Sequence, residues 1–165
     1  MTKHFFRRLF NRILQLMARF SPGAMNIRPF LHHLRGVKIY GKVWIGDDVY
    51  LDNEYPEQLE IHHGAAIGMR ALLVAHTRGP GRIIIEDYAY VGPAAVLVCP
   101  EGRTIRIGKG AMIGPGCIIT SSVPENAFMA APKSKIVALS TIPFNQAASV
   151  EEYFAGLKPW KGPSK

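Results

Sequence analysis

Several things are scarce in this chain of 165 residues. It has two cysteines, Cys99 and Cys117. Two thiols cannot build the disulfide framework of a small secreted domain, and they fit a reducing compartment. Acidic residues number 12 against 20 lysines and arginines, for a formal net charge of +8. That excess suits nucleic acid, an anionic membrane or an acidic substrate. No nucleic-acid-binding motif accompanies it, so no nucleic-acid partner is expected. Long apolar runs are missing as well. None approaches the ~20 residues a membrane-spanning helix needs. HFFRRLFNRILQLMARF, near the start, mixes charge into its apolar residues and lacks the uninterrupted apolar core of a secretion signal. A cytoplasmic location is the expectation. Hydrophobic residues make up 48% of the chain and charged residues 19%, which marks a globular chain able to bury a core.

An internal period decides the fold class. Aliphatics recur every six residues at Ile39, Ile45, Leu51, then Ile61, Ile67, Leu73, then Ile85, Val91, Leu97, then Ile107, Ile113, Ile119. Four residues after most of them stands a small or β-branched residue: Val43, Val49, Ala65, Ala71, Thr77, Ala89, Ala95, Ala111, Cys117, Val123. Glycine follows every middle aliphatic, at Gly46, Gly68, Gly92 and Gly114. Neither a helix, with its period of 3.6, nor a plain strand, with its period of 2, repeats this way. A chain that makes a short strand, turns and repeats does so, with three strands per coil and coils about 4.8 Å apart. Neighbouring coils then bury one another's core, as in a solenoid.

First strands begin at 39, 61, 85 and 107, so the steps exceed three six-residue units by 4, 6 and 4 residues. Each excess falls after a third strand, at residues 52–57, 77–82 and 100–104. Loops stacked along one edge of a rigid repeat are where function concentrates.

This pattern resembles the hexapeptide-repeat acyltransferases over about residues 36–143. IGKGAMIGPGCIITSSVPENAFMAAPKSKIVA looks like the last coil and exit segment of sugar and polysaccharide O-acetyltransferases that use acetyl-CoA. The resemblance implies a left-handed parallel β-helix of about four coils, an exception to the usual right-handed crossover. It divides the chain into an amphipathic helical segment at 1–35, a β-helix catalytic domain at 36–143, and a C-terminal helix and tail at 144–165. It also implies a homotrimer with active sites between neighbouring prisms. The residues just before the core aliphatics agree: they are apolar on two outer faces, at Trp44, Ala66, Tyr90 and Met112, and at Tyr50, Leu72, Val96 and Ile118.

His76 alone among the six histidines stands where a core strand opens into the longest edge loop. An imidazole accepts a proton near neutral pH, which suits a general base acting on a hydroxyl. The resemblance assigns His76 that role, with no metal. Oxyanion donors would come from backbone amides near the Gly92 turn and from Asn53, one coil earlier. Asp52 and Asn53, with Arg78 and Arg82 of the loop RGPGR, are candidates for contacting the acceptor. RGPGR opens no helix and is not a phosphate-binding loop. For acetyl-CoA the resemblance points to Tyr90, Gly92, Pro93, Gly114, Pro115, Thr120, Ser121, Lys133 and Lys135. Ser121 stands where lysine is common and Tyr90 where tryptophan is.

Three alternatives stay open: transfer to the amine of an amino-sugar, a non-catalytic module, and a zinc enzyme of the γ-carbonic anhydrase type using His62, His63 and His76. At the N-terminus, Phe5, Phe6, Leu9, Phe10, Ile13, Leu16, Met17 and Phe20 recur at helical spacing among Arg7, Arg8, Arg12 and Arg19, until Pro22 and Gly23 end the run. The expectation is that the apolar face of this helix packs on the prism, whose first coil needs a cover, or on a neighbouring subunit. The alternative is contact of residues 3–20 with the inner face of a membrane, which suits a lipid-linked sugar as acceptor. Near the C-terminus, Ser149 with Glu152 three positions on predicts a capped short helix ending near Gly156.

Overall fold

A computed structural model describes residues 2–162, with side chains from Phe6 onward. Phe5, counted above in the apolar stripe, and the tail residues 163–165 lie outside the described side chains. The chain forms two compact units, divided between residues 131 and 132.

In the first unit the six-residue period becomes a three-sided parallel solenoid. Strands β1 (Lys38–Ile39), β2 (Trp44–Ile45) and β3 (Tyr50–Leu51) make the first coil. The second holds β4 (Leu59–Ile61), β5 (Ala66–Ile67) and β6 (Leu72–Val74). The third holds β7 (Arg82–Ile85), β8 (Tyr90–Val91) and β9 (Val96–Val98). The fourth holds β10 (Thr104–Ile107), β11 (Met112–Ile113) and β12 (Ile118–Ile119). A partial fifth turn adds β13 (Phe128–Met129) and a bridge from Val123 to Ile107. Three parallel sheets result, ordered β1-β4-β7-β10, β2-β5-β8-β11-β13 and β3-β6-β9-β12.

Register keeps like over like. Ile39, Ile61, Ile85 and Ile107 align on the first face. Ile45, Ile67, Val91 and Ile113 align on the second, and Leu51, Leu73, Leu97 and Ile119 on the third. All but Ile39 are buried. The small residues fill the corners between them, with one exception. Thr77 is exposed on the edge loop, and Ala75 takes the inner place.

Two of the three edges are tight, and each repeats one left-handed residue per coil. Gly41, Gly64, Tyr88, Gly110 and Asn126 hold positive φ on the first edge, and Asp48, Arg70, Ala94 and Gly116 on the second. The glycines after the middle strands answer a different need. A Cβ at Gly68 would lie 2.5 Å from the Pro93 nitrogen, and one at Gly92 would lie 2.6 Å from the Ile113 carbonyl oxygen. The backbone of the next coil occupies that space. The third edge carries the loops, including a single 3-10 turn at Pro56–Gln58.

Two helices precede the solenoid, α1 (Thr2–Phe20) and α2 (Ile27–Leu34), where the sequence reading had one. They pack on each other through Leu14, Ala18 and Leu31. Of the two expected partners for the apolar face of α1, its own prism is corrected. Its inward side presents Asn11, Gln15, Leu14 and Ala18, while Leu9, Ile13, Leu16, Met17 and Phe20 face outward.

The reason lies in what the first coil offers. The outer edge of a parallel coil is a row of unpaired backbone groups, and burying such groups without partners is costly. The N-terminal segment satisfies them one by one. Gln15 Nε2 donates to the Val49 carbonyl at 2.9 Å, Arg28 Nη1 to Ile45 at 3.0 Å, and Asn11 Nδ2 to Asn53 at 3.5 Å. Arg35 donates to the Leu51 carbonyl. In return, Ala24 and Arg19 carbonyls accept from the Ile45 and Asp48 amides.

The second unit, residues 132–162, pairs β14 (Ala138–Ser140) with β15 (Leu157–Pro159) antiparallel. Between them lies α3 (Val150–Ala155), whose Ser149 Oγ accepts from the Glu152 amide at 3.1 Å, the expected cap.

Gln15→Met removes a buried donor and leaves the Val49 carbonyl unsatisfied, at an expected cost of about 1–3 kcal/mol in urea unfolding. Leu16→Gln, one residue on and facing out, is expected to change stability by less than about 0.5 kcal/mol.

Candidate functional site

The candidate site lies on the third edge, where β6 ends. His76 pairs across its loop with Pro80 in an antiparallel bridge, and the Gly81 amide donates to the Ala75 carbonyl at 2.7 Å. The loop base is clamped against the next coil. The Gly102 amide donates to the Pro80 carbonyl at 3.0 Å, and a Cβ at Gly81 would meet the Pro100 carbonyl oxygen at 2.4 Å. The imidazole is therefore mounted on a fixed rim.

Behind the ring stands Asp52, fully buried. Its Oδ2 lies 2.6 Å from His76 Nδ1 and accepts from the Ala75 amide at 2.7 Å. Its Oδ1 accepts from the amides of Glu54 at 2.8 Å and Tyr55 at 3.1 Å. A carboxylate so placed only accepts, so the hydrogen on the neutral ring sits on Nδ1. Nε2 then carries the free lone pair. The His76 side chain is about one-third exposed, and the Tyr55 ring stands edge-on to it, 5.7 Å between centroids. This arrangement can take a proton from a hydroxyl at the loop edge.

The sequence reading set Asp52 against the acceptor. The structure gives it a different post: its carboxylate is enclosed, it is bonded on both oxygens, and it orients the imidazole. Asn53 points its side-chain oxygen at Arg35, whose Nη1 donates at 2.8 Å, which leaves the amide nitrogen as the end able to donate. Arg82 is also committed elsewhere. Its guanidinium lies 2.6 Å from Glu60, which also holds Lys38 at 2.9 Å. Burial raises the Glu60 carboxyl, but the hydrogen bonds from Lys38 and Arg82 outweigh it and hold the group below its usual range. Arg78, at the loop tip, is exposed.

Thr120 and Ser121 follow the third strand of the fourth coil, so they share the His76 edge, and both are exposed. Gly92, Pro93, Gly114 and Pro115 do not share it. They turn the chain from the second face to the third, on another edge of the same prism. Tyr90 lies on the second face, half-buried. Lys133 and Lys135 are exposed in the second unit.

The expectation of oxyanion donors at the Gly92 turn is corrected. The Gly92 amide donates to Ile113, Ala94 to Met69 and Ala95 to Gly92, and Pro93 has none. Bonds to the neighbouring coils and within the turn use the amides of Gly92, Ala94 and Ala95, so none of these is left to aim at a developing charge. His62 and His63 lie on the first tight edge, ring to ring with Tyr40 and Tyr88. Among the described residues, no group of three or more histidine, cysteine or acidic side chains converges as a metal site would.

No periodicity or motif pointed to the support beneath Asn53. Arg35 is buried at the end of α2 and bonded to His32 Nδ1 through Nε at 3.1 Å. Burial lowers the Arg35 guanidinium to about 10, against the opposing pull of Tyr50 and Asp52. It stays charged at neutral pH. Burial, and then the Arg35 charge, push His32 down to about 3. One arginine thus ties the helical segment to the residue next to Asp52.

Comparison with known proteins places this geometry in context. No family model matches the sequence. The bifunctional protein GlmU of Carboxydothermus hydrogenoformans is 30% identical over 125 residues, covering 68% of this chain and 27% of that protein. A 2,3,4,5-tetrahydropyridine-2,6-dicarboxylate N-acetyltransferase of Staphylococcus aureus is 34% identical over 77 residues, covering 47% of this chain and 30% of its own length. The chain therefore spans less than a third of the curated relatives it matches. Among solved structures, serine acetyltransferase isoform 3 of Entamoeba histolytica, in complex with cysteine, aligns over 78% of this chain and 47% of its own. It does so with 16% identity and a TM-score of 0.33, an overlap too loose to carry an argument. The homologues of this chain are hexapeptide-repeat acetyltransferases.

The unfolded chain takes a proton on His32 near pH ~6.5, whereas the folded chain resists until about 3. Stability should therefore fall as pH drops through that window, by at most about 1.4 kcal/mol per pH unit from this group. Urea midpoints at about pH 7 and about pH 4.5 check this, and His32→Asn should flatten the difference.

Proposed function

We propose that this chain transfers an acetyl group from acetyl-CoA to a hydroxyl of a sugar, or of a polysaccharide or glycolipid precursor, with His76 as general base. The observation that carries this reading is the Asp52–His76 pair at the loop edge, with Nε2 as the free lone pair. The hydroxyl proton passes to Nε2 as the acceptor oxygen bonds to the acyl carbon. The carbon–sulfur bond breaks, and the departing thiolate recovers the proton from the imidazolium. Asp52 holds the tautomer and stabilises the cationic ring. Asn53, its oxygen fixed by Arg35, offers its amide nitrogen to the acceptor or to the oxyanion.

The reading includes a homotrimer. His76, Thr120 and Ser121 lie on one edge, while Gly92, Pro93, Gly114 and Pro115 lie on another. A threefold assembly would bring one protomer's base edge to the next protomer's glycine-and-proline edge, and the acetyl-CoA arm would run between them. Trp44, Met112 and Ile118 leave apolar area exposed on the two outer faces such an assembly uses. Arg78 is the cation proposed for an anionic acceptor or the phosphates of CoA. Lys133 and Lys135 are proposed for the CoA phosphates alone. The proposed location is the cytoplasm.

A second reading has one observation in its favour: a relative is named an N-acetyltransferase. The same base would serve an amine acceptor, so only the acceptor separates the two.

Thiol release from acetyl-CoA against a panel of sugars and amino-sugars tests both readings. His76→Ala is expected to lower the transfer rate by roughly 10²–10⁴-fold with assembly size unchanged. Equal rates in the two proteins would reject the assignment. Asp52→Asn is expected to lower kcat more than it raises KM, because it disturbs the ring's tautomer and touches no acceptor.

A further inference from the structure

We propose that the outward face of α1 and α2 seats on the surface of an anionic lipid bilayer. The two helices hold the solenoid through their polar and small residues, so their large apolar residues are left over from folding. Leu9, Ile13, Leu16 and Phe20 lie along one line of α1 and are 46–72% exposed. The line runs roughly 16 Å at the helical rise of 1.5 Å per residue. Ile27, Phe30 and Leu34 extend the apolar surface onto α2, at 44–58% exposure. An amphipathic helix docked by its apolar side would show the reverse.

Charge identifies the occupant. Residues 1–46 contain nine lysines and arginines and no aspartate or glutamate; the first acidic residue is Asp47. Arg8 and Arg12 flank the ridge and share the one carboxylate of Glu54, at 3.1 and 3.7 Å. Their side chains remain 67% and 69% exposed. An apolar ridge margined by cations is the layout of a helix lying in a headgroup layer, where long basic side chains reach up to lipid phosphates. Among the described residues no helix is long and apolar enough to cross a membrane, so this surface lies on the bilayer. A second copy fits less well. Ridge against ridge would bring the Arg8 and Arg12 margins of two copies together, with only the shared Glu54 carboxylate of each to offset them.

Flotation of the full chain with lipid vesicles tests the proposal. Vesicles of phosphatidylcholine with about 30% phosphatidylglycerol should carry the protein up the gradient, and salt near 0.5 M should weaken the binding. The triple variant Leu9→Gln, Ile13→Gln, Leu16→Gln should bind at least about tenfold less, with its circular dichroism unchanged. Arg8→Gln with Arg12→Gln should reduce binding to anionic vesicles and leave binding to pure phosphatidylcholine vesicles unaltered. Phe20→Gln, a single exposed change, should give a smaller loss in the same direction and keeps the test intact if the triple variant misfolds.

Absence of flotation by the wild-type chain would overturn the proposal, as would equal flotation by the ridge variants or equal binding to neutral and anionic vesicles. A wild-type chain that ignores vesicles while the ridge variants shrink its assembly in light scattering would overturn it too, in favour of a second copy as occupant.

Discussion

A parallel coil cannot pair its strands within itself. Every backbone donor and acceptor on its rim must find a partner one coil up or down, and the first coil has nothing below it. This constraint shapes the chain from its N-terminus. The register of Ile, Leu and Val over four coils solves it internally, because each strand meets the next coil in phase. At the open end Asn11, Gln15, Arg28 and Arg35 solve it with side chains. A helix that supplies amides and guanidiniums to a backbone rim must turn its polar side inward, and its apolar side then has nowhere to go but out.

The same cap reaches the chemistry. Arg35 joins the Leu51 carbonyl, the Asn53 side chain and His32 in one buried cluster, and Asp52 lies between the first two in sequence. Closure of the solenoid and placement of the residues behind the imidazole are therefore one structure. His32 stays neutral there because burial penalises its charged form and the adjacent Arg35 charge opposes a second cation. A change at the end of α2 would be felt at the third edge without any contact to a substrate.

The solenoid was legible in the sequence because its signal is redundant: twelve aliphatics in phase leave no other period. The loop edge and His76 were legible for the same reason, since residues in excess of the period must leave the coil. What side chains do just past a strand end was not. Periodicity says that Asp52 begins a loop and is silent on whether it points to solvent or back beneath the next coil, where three amides and an imidazole receive it. The Gly92 turn misled in the opposite way. Glycine there signals close approach, and what approaches is the next coil's backbone, which takes the Gly92 amide, while Ala94 and Ala95 are taken by the preceding coil and the turn itself. The α1 pattern showed that one face is apolar but could not say which face the solenoid takes, because its partner is a backbone rim and not an oily surface.

The columns of left-handed residues on two edges bear on how such a protein can change over time. A residue added at Tyr88 or Ala94 would put every later aliphatic out of phase, flipping side chains from core to solvent through the remaining coils. A residue added between Thr77 and Gly79 disturbs only a tip that already departs from the repeat. Two corners of the triangle are thus frozen by arithmetic. The third is free to lengthen, shorten and exchange side chains, and it is the corner beside which the imidazole stands. Variation in this lineage would be concentrated there, on ground that folding leaves unclaimed.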